Sequence, residues 1–100
     1  MKIDFTQQLM SLDGEPLTRD EKGNKATLQY VCREALIANH QEDAKISGEE
    51  KFERWELAKK IMEGAVELKA EDVVKIKKLL ARSYSPGVVG PAFELLEGSK

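Results

Sequence analysis

Cys32 and His40 are the residues best suited by type to nucleophilic chemistry, and each type occurs once in the chain. A thiol becomes a working nucleophile when a base within hydrogen-bonding reach takes its proton, and histidine is the usual base near neutral pH. Cys32 falls on an apolar helical stripe, however, and His40 lies beyond the end of that stripe. The pattern therefore reads Cys32 as a small core residue, and no catalytic residue is assigned. A single Cys excludes an intramolecular disulfide, and one Cys with one His is no zinc set. A reducing cytosol is the natural setting for such a chain.

Carboxylates are denser. Glu49, Glu50, Glu53 and Glu56 cluster on one predicted helix, and Glu42-Asp43 precedes them. A calcium loop needs alternating oxygen ligands around a central Gly, which this run lacks. It reads as a solvated acidic face, so no metal and no cofactor is expected. Gly87-Val88-Val89-Gly90 has the look of a phosphate-cradling turn, but no strand leads into it and no Lys-Ser or Lys-Thr follows. Close packing of a helix is the better account of the two glycines.

The most informative polar feature is basic. Lys75, Lys78 and Arg82 share one helical side at i, i+3 and i+7, Lys77 lies beside them, and Tyr84 follows. Such a helix can neutralise phosphates while an adjacent ring stacks a base. It can equally be a solvated face that complements the negative end of the helix dipole. The pI near 5.5 and a net charge of -2 do not favour nucleic acid as the first reading. Charge is unevenly spread, with residues 1–50 at -4 and residues 51–100 at +2.

The elements that must position these residues follow from periodicity. Ile3 and Phe5 alternate with polar neighbours, and Leu12-Asp13-Gly14-Glu15 carries the Asp-Gly pair of a tight hairpin turn, so residues 1–25 are expected to form a β-ribbon and loop. Pro16 confines its strand to an edge. Leu28, Val31, Cys32, Ala35 and Leu36 then fall on one helical stripe with Thr27 as N-cap. Asn39 to Lys45 reads as an exposed connection. Ser47-Gly48-Glu49-Glu50 fits a capping box that opens a second helix, whose predicted core face is Phe52, Trp55, Ala58, Ile61, Met62 and Ala65. Gly64 offers a left-handed exit. A third helix opens at Leu68 to Asp72 and buries Val73, Ile76, Leu79 and Leu80. A fourth runs from Ser85-Pro86 to Leu96, burying Val89, Phe93 and Leu96, unless Pro91 restarts it. Gly98, Ser99 and Lys100 are expected to fray.

The expected fold is thus α+β and mainly α, with a short N-terminal β-ribbon followed by a three- to four-helix bundle over residues 26–97. One hundred residues, 41% hydrophobic and 34% charged, suit one modest core in a single domain. No internal repeat is visible. No apolar run reaches signal-peptide length or the roughly 18 residues of a membrane span, so no membrane association is expected.

Several segments carry a resemblance: Asp4-Phe5-Thr6, Leu12 to Leu17, Ala70-Glu71-Asp72, Ile76 to Leu79 and Tyr84 to Gly90. Together they resemble a group of small bacteriophage and prophage proteins of about this length, most of unassigned function. The resemblance implies the host cytoplasm and admits association with the virion, and it brings no active residues with it.

These readings combine into a non-enzymatic accessory or assembly protein that binds a phage or host protein or a second copy of itself. Met10, Leu57, Val74 and Val88 are the expected interface, because each lies off the predicted core stripes. The alternative is a nucleic-acid-binding regulator using Lys75, Lys78, Arg82 and Tyr84. A third reading makes Glu49, Glu53 and Glu56 a nucleic-acid mimic.

Overall fold

A computed structural model describes residues 1–38, 40 and 45–98. The expected exposed connection falls largely on Asn39, Gln41, Glu42, Asp43 and Ala44, which lie outside the described residues, as do Ser99 and Lys100. The fold is mainly helical: β1 (Lys2–Asp4), α1 (Leu28–Ile37), α2 (Gly48–Ile61), β2 (Ala65–Glu67), α3 (Ala70–Ser83) and α4 (Pro86–Leu96).

The helix starts follow from their caps. Thr27 Oγ1 accepts from Tyr30 N at 3.1 Å, and Ser47 Oγ accepts from Glu50 N at 3.1 Å, each satisfying an amide that the first turn leaves orphaned. Glu71 and Asp72 occupy the first turn of α3, and Pro86 stands at the start of α4, where its missing N–H costs nothing. Pro91 does not restart α4, which runs through it to Leu96. Gly64 leaves α2 at φ +102, a conformation that L side chains rarely adopt, and its carbonyl accepts from Phe5 N at 2.9 Å.

That exit corrects the expected ribbon. β1 does not pair within residues 1–25 but runs antiparallel to β2, with Ile3 opposite Val66. Ala65 therefore belongs to a strand and not to the second helix. The Asp-Gly turn does form, with Gly14 at φ +81 and Ser11 N donating to Glu15 O at 2.8 Å, but it belongs to a different arrangement.

Residues 7–28 form a closed ring of three extended segments. Leu9 N donates to Ala26 O, Ala26 N to Leu17 O, and Leu17 N to Leu9 O, at 2.9 to 3.0 Å. An outer set repeats the pattern: Ser11 N to Glu15 O, Arg19 N to Asn24 O, and Leu28 N to Gln7 O. The backbone thus repeats three times where the sequence does not. Gln8 plugs the centre, its Nε2 lying 3.0, 2.9 and 3.0 Å from the carbonyls of Leu9, Leu17 and Ala26. An amide nitrogen has two protons, so at least one is shared between carbonyls.

The core gathers Phe5 and Leu9 from this N-terminal part with Leu28, Leu36, Ile61, Ile76, Leu80 and Leu96 from the helices, all fully buried. The stripe of α1 is buried as the sequence predicts. The face of α2 is buried only in part. Ala58 and Ile61 are buried as predicted, but Phe52, Trp55 and Met62 are exposed, and Arg54 and Leu57 are buried in their place. In α4, Ala92 and Leu96 are buried, whereas Phe93 is half-buried and packs at the edge of the core.

Gln8→Ala removes the central donor and should lower unfolding stability by about 2 kcal/mol, a net of several hydrogen bonds, read from urea denaturation. A loss below about 0.5 kcal/mol would mean that the backbone ring holds without its plug. Acid sensitivity follows from three exposed carboxyls. Bonds from the Thr6 hydroxyl and amide, from Asn24, and from the Met1 amine hold Asp4, Asp20 and Glu67 respectively below their ordinary pKa. A folded-state pKa below the unfolded value gives stability that is complete above the ordinary carboxylate range and lost as pH falls through the lowered one. Urea midpoints should therefore hold above about pH 5 and decline below about pH 4, less steeply in Glu67→Gln.

Candidate interaction surface

The nucleophile reading ends at Cys32, which is fully buried in the core, where burial pushes its thiol up and away from the reactive thiolate. His40 Nε2 lies 2.9 Å from Ala35 O, which can only accept, so that nitrogen carries a proton committed to the end of α1. Among the described residues, no three His, Cys, Asp or Glu gather where they could hold a metal ion. No described helix is long and apolar enough to cross a membrane. Gly87 and Gly90 sit within α4, in a helix and not in a phosphate-cradling loop.

Three of the four basic-helix residues come together. Lys75, Lys78 and Arg82 line a cleft of about 280 Å3 between α2 and α3, with Glu50, Arg54 and Glu71 opposite or beside them. Arg54 was not legible as a member, because its position falls on the helix face that points inward. Lys75 is already engaged, 3.2 Å from Glu53 Oε1 and 3.5 Å from Glu50 Oε2. Lys77 pairs with Glu97 at 2.8 Å and lies over the Phe93 ring. Tyr84 does not join this cleft. It packs against the core, where burial, with Tyr30 and Glu34 nearby, pushes its hydroxyl up to about 12. A ring so placed is a core-edge residue and not a stacking platform beside Lys78. The acidic trio is divided too, since Glu53 faces Lys75 while Glu56 lies 3.7 Å from Lys59.

The four expected interface residues have different fates. Met10 and Val74 are exposed. Leu57 is only 8% exposed, because α2 turns its Arg54–Leu57–Ile61 side to the core, which corrects the expectation that Leu57 is a surface residue. Val88 is half-buried and packs against the core. Met10 shares a groove of about 510 Å3 with the fully exposed Leu12 and with Pro86, Gly87, Gly90 and Pro91 of α4.

The sequence reading missed the larger apolar surface by assigning its residues to the core. Phe52, Trp55 and Met62 are 61%, 53% and 46% exposed. At 100° per residue they lie along one side of α2, about 130° around the helix from the buried face. Trp and Phe exposed together on a helix are costly to leave in water and are enriched where proteins meet. Phe52 also forms part of the wall of a cleft of about 710 Å3, where α2 meets the start of α3 near Lys69 and Asp72. Comparison with known protein families, with curated proteins and with solved structures finds no match for the chain.

Burial of Cys32 makes a simple expectation. Thiol labelling of the native protein should run at least about 100-fold slower than of the urea-unfolded chain, since the sulfur reacts only when the core opens. Equal rates would return Cys32 to the list of reactive groups.

Proposed function

We propose that this chain is a non-enzymatic binding protein that acts through protein–protein contact, with the outer side of α2 as its principal surface. The observation that carries the reading is the exposure of Phe52 and Trp55 on a helix whose other side is fully used by the core. Large aromatic side chains give the most binding energy per residue at protein interfaces, and a folded chain of this size has little reason to spend them on solvent. The buried thiol and the committed histidine support a role without covalent chemistry. The resemblance to small phage and prophage proteins adds the setting we favour, an accessory or assembly role in a phage-infected or lysogenic cell.

A second reading has one observation in its favour: Arg54, Lys78 and Arg82 gather around one cleft with Lys75. Phosphate contacts there release counterions, so affinity falls steeply as salt rises.

Affinity capture with the tagged protein, run with and without nuclease at two salt concentrations, separates the two. The expected result is a protein retained after nuclease treatment and lost from the Phe52→Ala/Trp55→Ala variant. Material lost on nuclease treatment or at moderate salt, but retained by that variant, would overturn the reading in favour of the basic cleft.

A further inference from the structure

The outer side of α2 has the spacing of a coiled-coil seam. Phe52, Trp55, Lys59 and Met62 succeed one another at three, four and three residues, which are consecutive a, d, a and d positions of a heptad. In that frame Lys51 and Ala58 occupy g, Ala58 being buried in its own core, and Glu49 and Glu56 occupy e. We propose that this seam is closed by a second copy of the same chain, with the two α2 helices parallel. The inference rests on the protein-contact reading above and names the partner.

Charge decides both the partner and its direction. In a parallel pair each g residue faces the e residue five positions on in the other helix, so Lys51 meets Glu56 of the second copy, twice by symmetry. An antiparallel pair sets e against e, which brings Glu56 towards its own counterpart. Like charges so placed are repulsive; the parallel arrangement removes this carboxylate conflict and leaves one like-charge layer, Lys59 opposite its own counterpart. Lys51 is exposed and makes no ion pair within its own chain among the described residues, so its charge is available for this contact.

The residues within the seam fit the same arrangement. Trp55 at d stacks on its counterpart near the centre, with Phe52 and Met62 a turn or two to either side. A single Lys at an a position sets register and two-stranded association at some cost in affinity. Lys59 Nζ leans to Glu56 Oε2 at 3.7 Å, which carries the ammonium away from the axis. The seam points about 130° away from the core face, so the two protein bodies lie on opposite sides of the helix pair. Two heptads bury much less than the roughly 800 Å2 per partner of a standard interface, and the dimer is accordingly weak.

Sedimentation equilibrium of the full chain, up to about 0.5 mM to reach a weak association, tests the inference, with circular dichroism confirming that each variant is folded. The expected result is a monomer–dimer equilibrium that Trp55→Ala weakens at least about tenfold. Lys51→Glu and Glu56→Lys should each weaken it by about threefold, and the double variant should recover the original affinity. Glu56→Gln should also weaken it, whereas an antiparallel pair would be strengthened. A monomer at every concentration, a dimer indifferent to Trp55→Ala, or a double variant that does not recover overturns the proposal. A chain that is monomeric throughout yet captures a protein through Trp55 overturns only the second copy as partner, and loss of that capture overturns the wider reading.

Discussion

One side-chain amide organises the N-terminal third of this protein. Three backbone carbonyls converge around Gln8 Nε2, and each of them also accepts from a backbone amide of the neighbouring segment. Carbonyl dipoles aimed at a common point repel one another, so the ring needs a donor at its centre, and a primary amide is one of the few neutral groups that can supply it. The cost is visible in Gln8 Oε1, which is buried without a partner. With the ring closed, Leu9 and Leu28 enter the core from its inner side, and Thr27 is set at the angle that caps α1. Helix placement thus begins in a segment that has almost no regular secondary structure.

β1 and β2 bring Ile3 against Val66, and both strands contribute to the core. Met1 N extends this pairing, at 2.7 Å from Glu67 and 2.8 Å from Leu68 O. α2 is held by ion pairs as well as by apolar burial. Arg54 is buried with its Nε 3.5 Å from Glu50, which lies the same distance from Lys75 of α3. A carboxylate beside a buried guanidinium lowers the cost of its burial, and the Glu50–Lys75 contact joins α2 to α3. The aromatic side of α2 faces water.

The sequence disclosed the parts of the fold whose causes are local. The stripe of α1, the caps at Thr27, Ser47 and Ser85-Pro86, and the left-handed exit at Gly64 each depend on residues within a turn or two. The failures share a different cause. On α2, the predicted stripe of Phe52, Trp55, Ala58, Ile61, Met62 and Ala65 shares only Ala58 and Ile61 with the true core face, and the apolar pattern centres it wrongly because that face contains an arginine. The carboxylate of Glu50, one turn earlier, pairs with that arginine and with Lys75 of α3, and periodicity does not register such contacts. The strand Ala65–Glu67 was hidden because its partner lies more than sixty residues away. The ring of residues 7–28 was hidden because its threefold repetition lies in backbone bonds and not in residue types. For the candidate surface, the charged members Lys75, Lys78 and Arg82 were legible as a cluster, while Tyr84 and Leu57 were misplaced by their environment.

The separation between β1 and β2 also sets an order of assembly. The ring uses only residues 7–28 and can close from contacts near in sequence, early in synthesis and ahead of most of the helical core. The first strand has nothing to pair with until residues 65–67 have emerged, and that long loop must be ordered before its bonds repay the cost. The first strand is therefore among the last parts to lock, and until residues 65–67 are in place Ile3 remains exposed and unpaired, open to a chaperone or a protease.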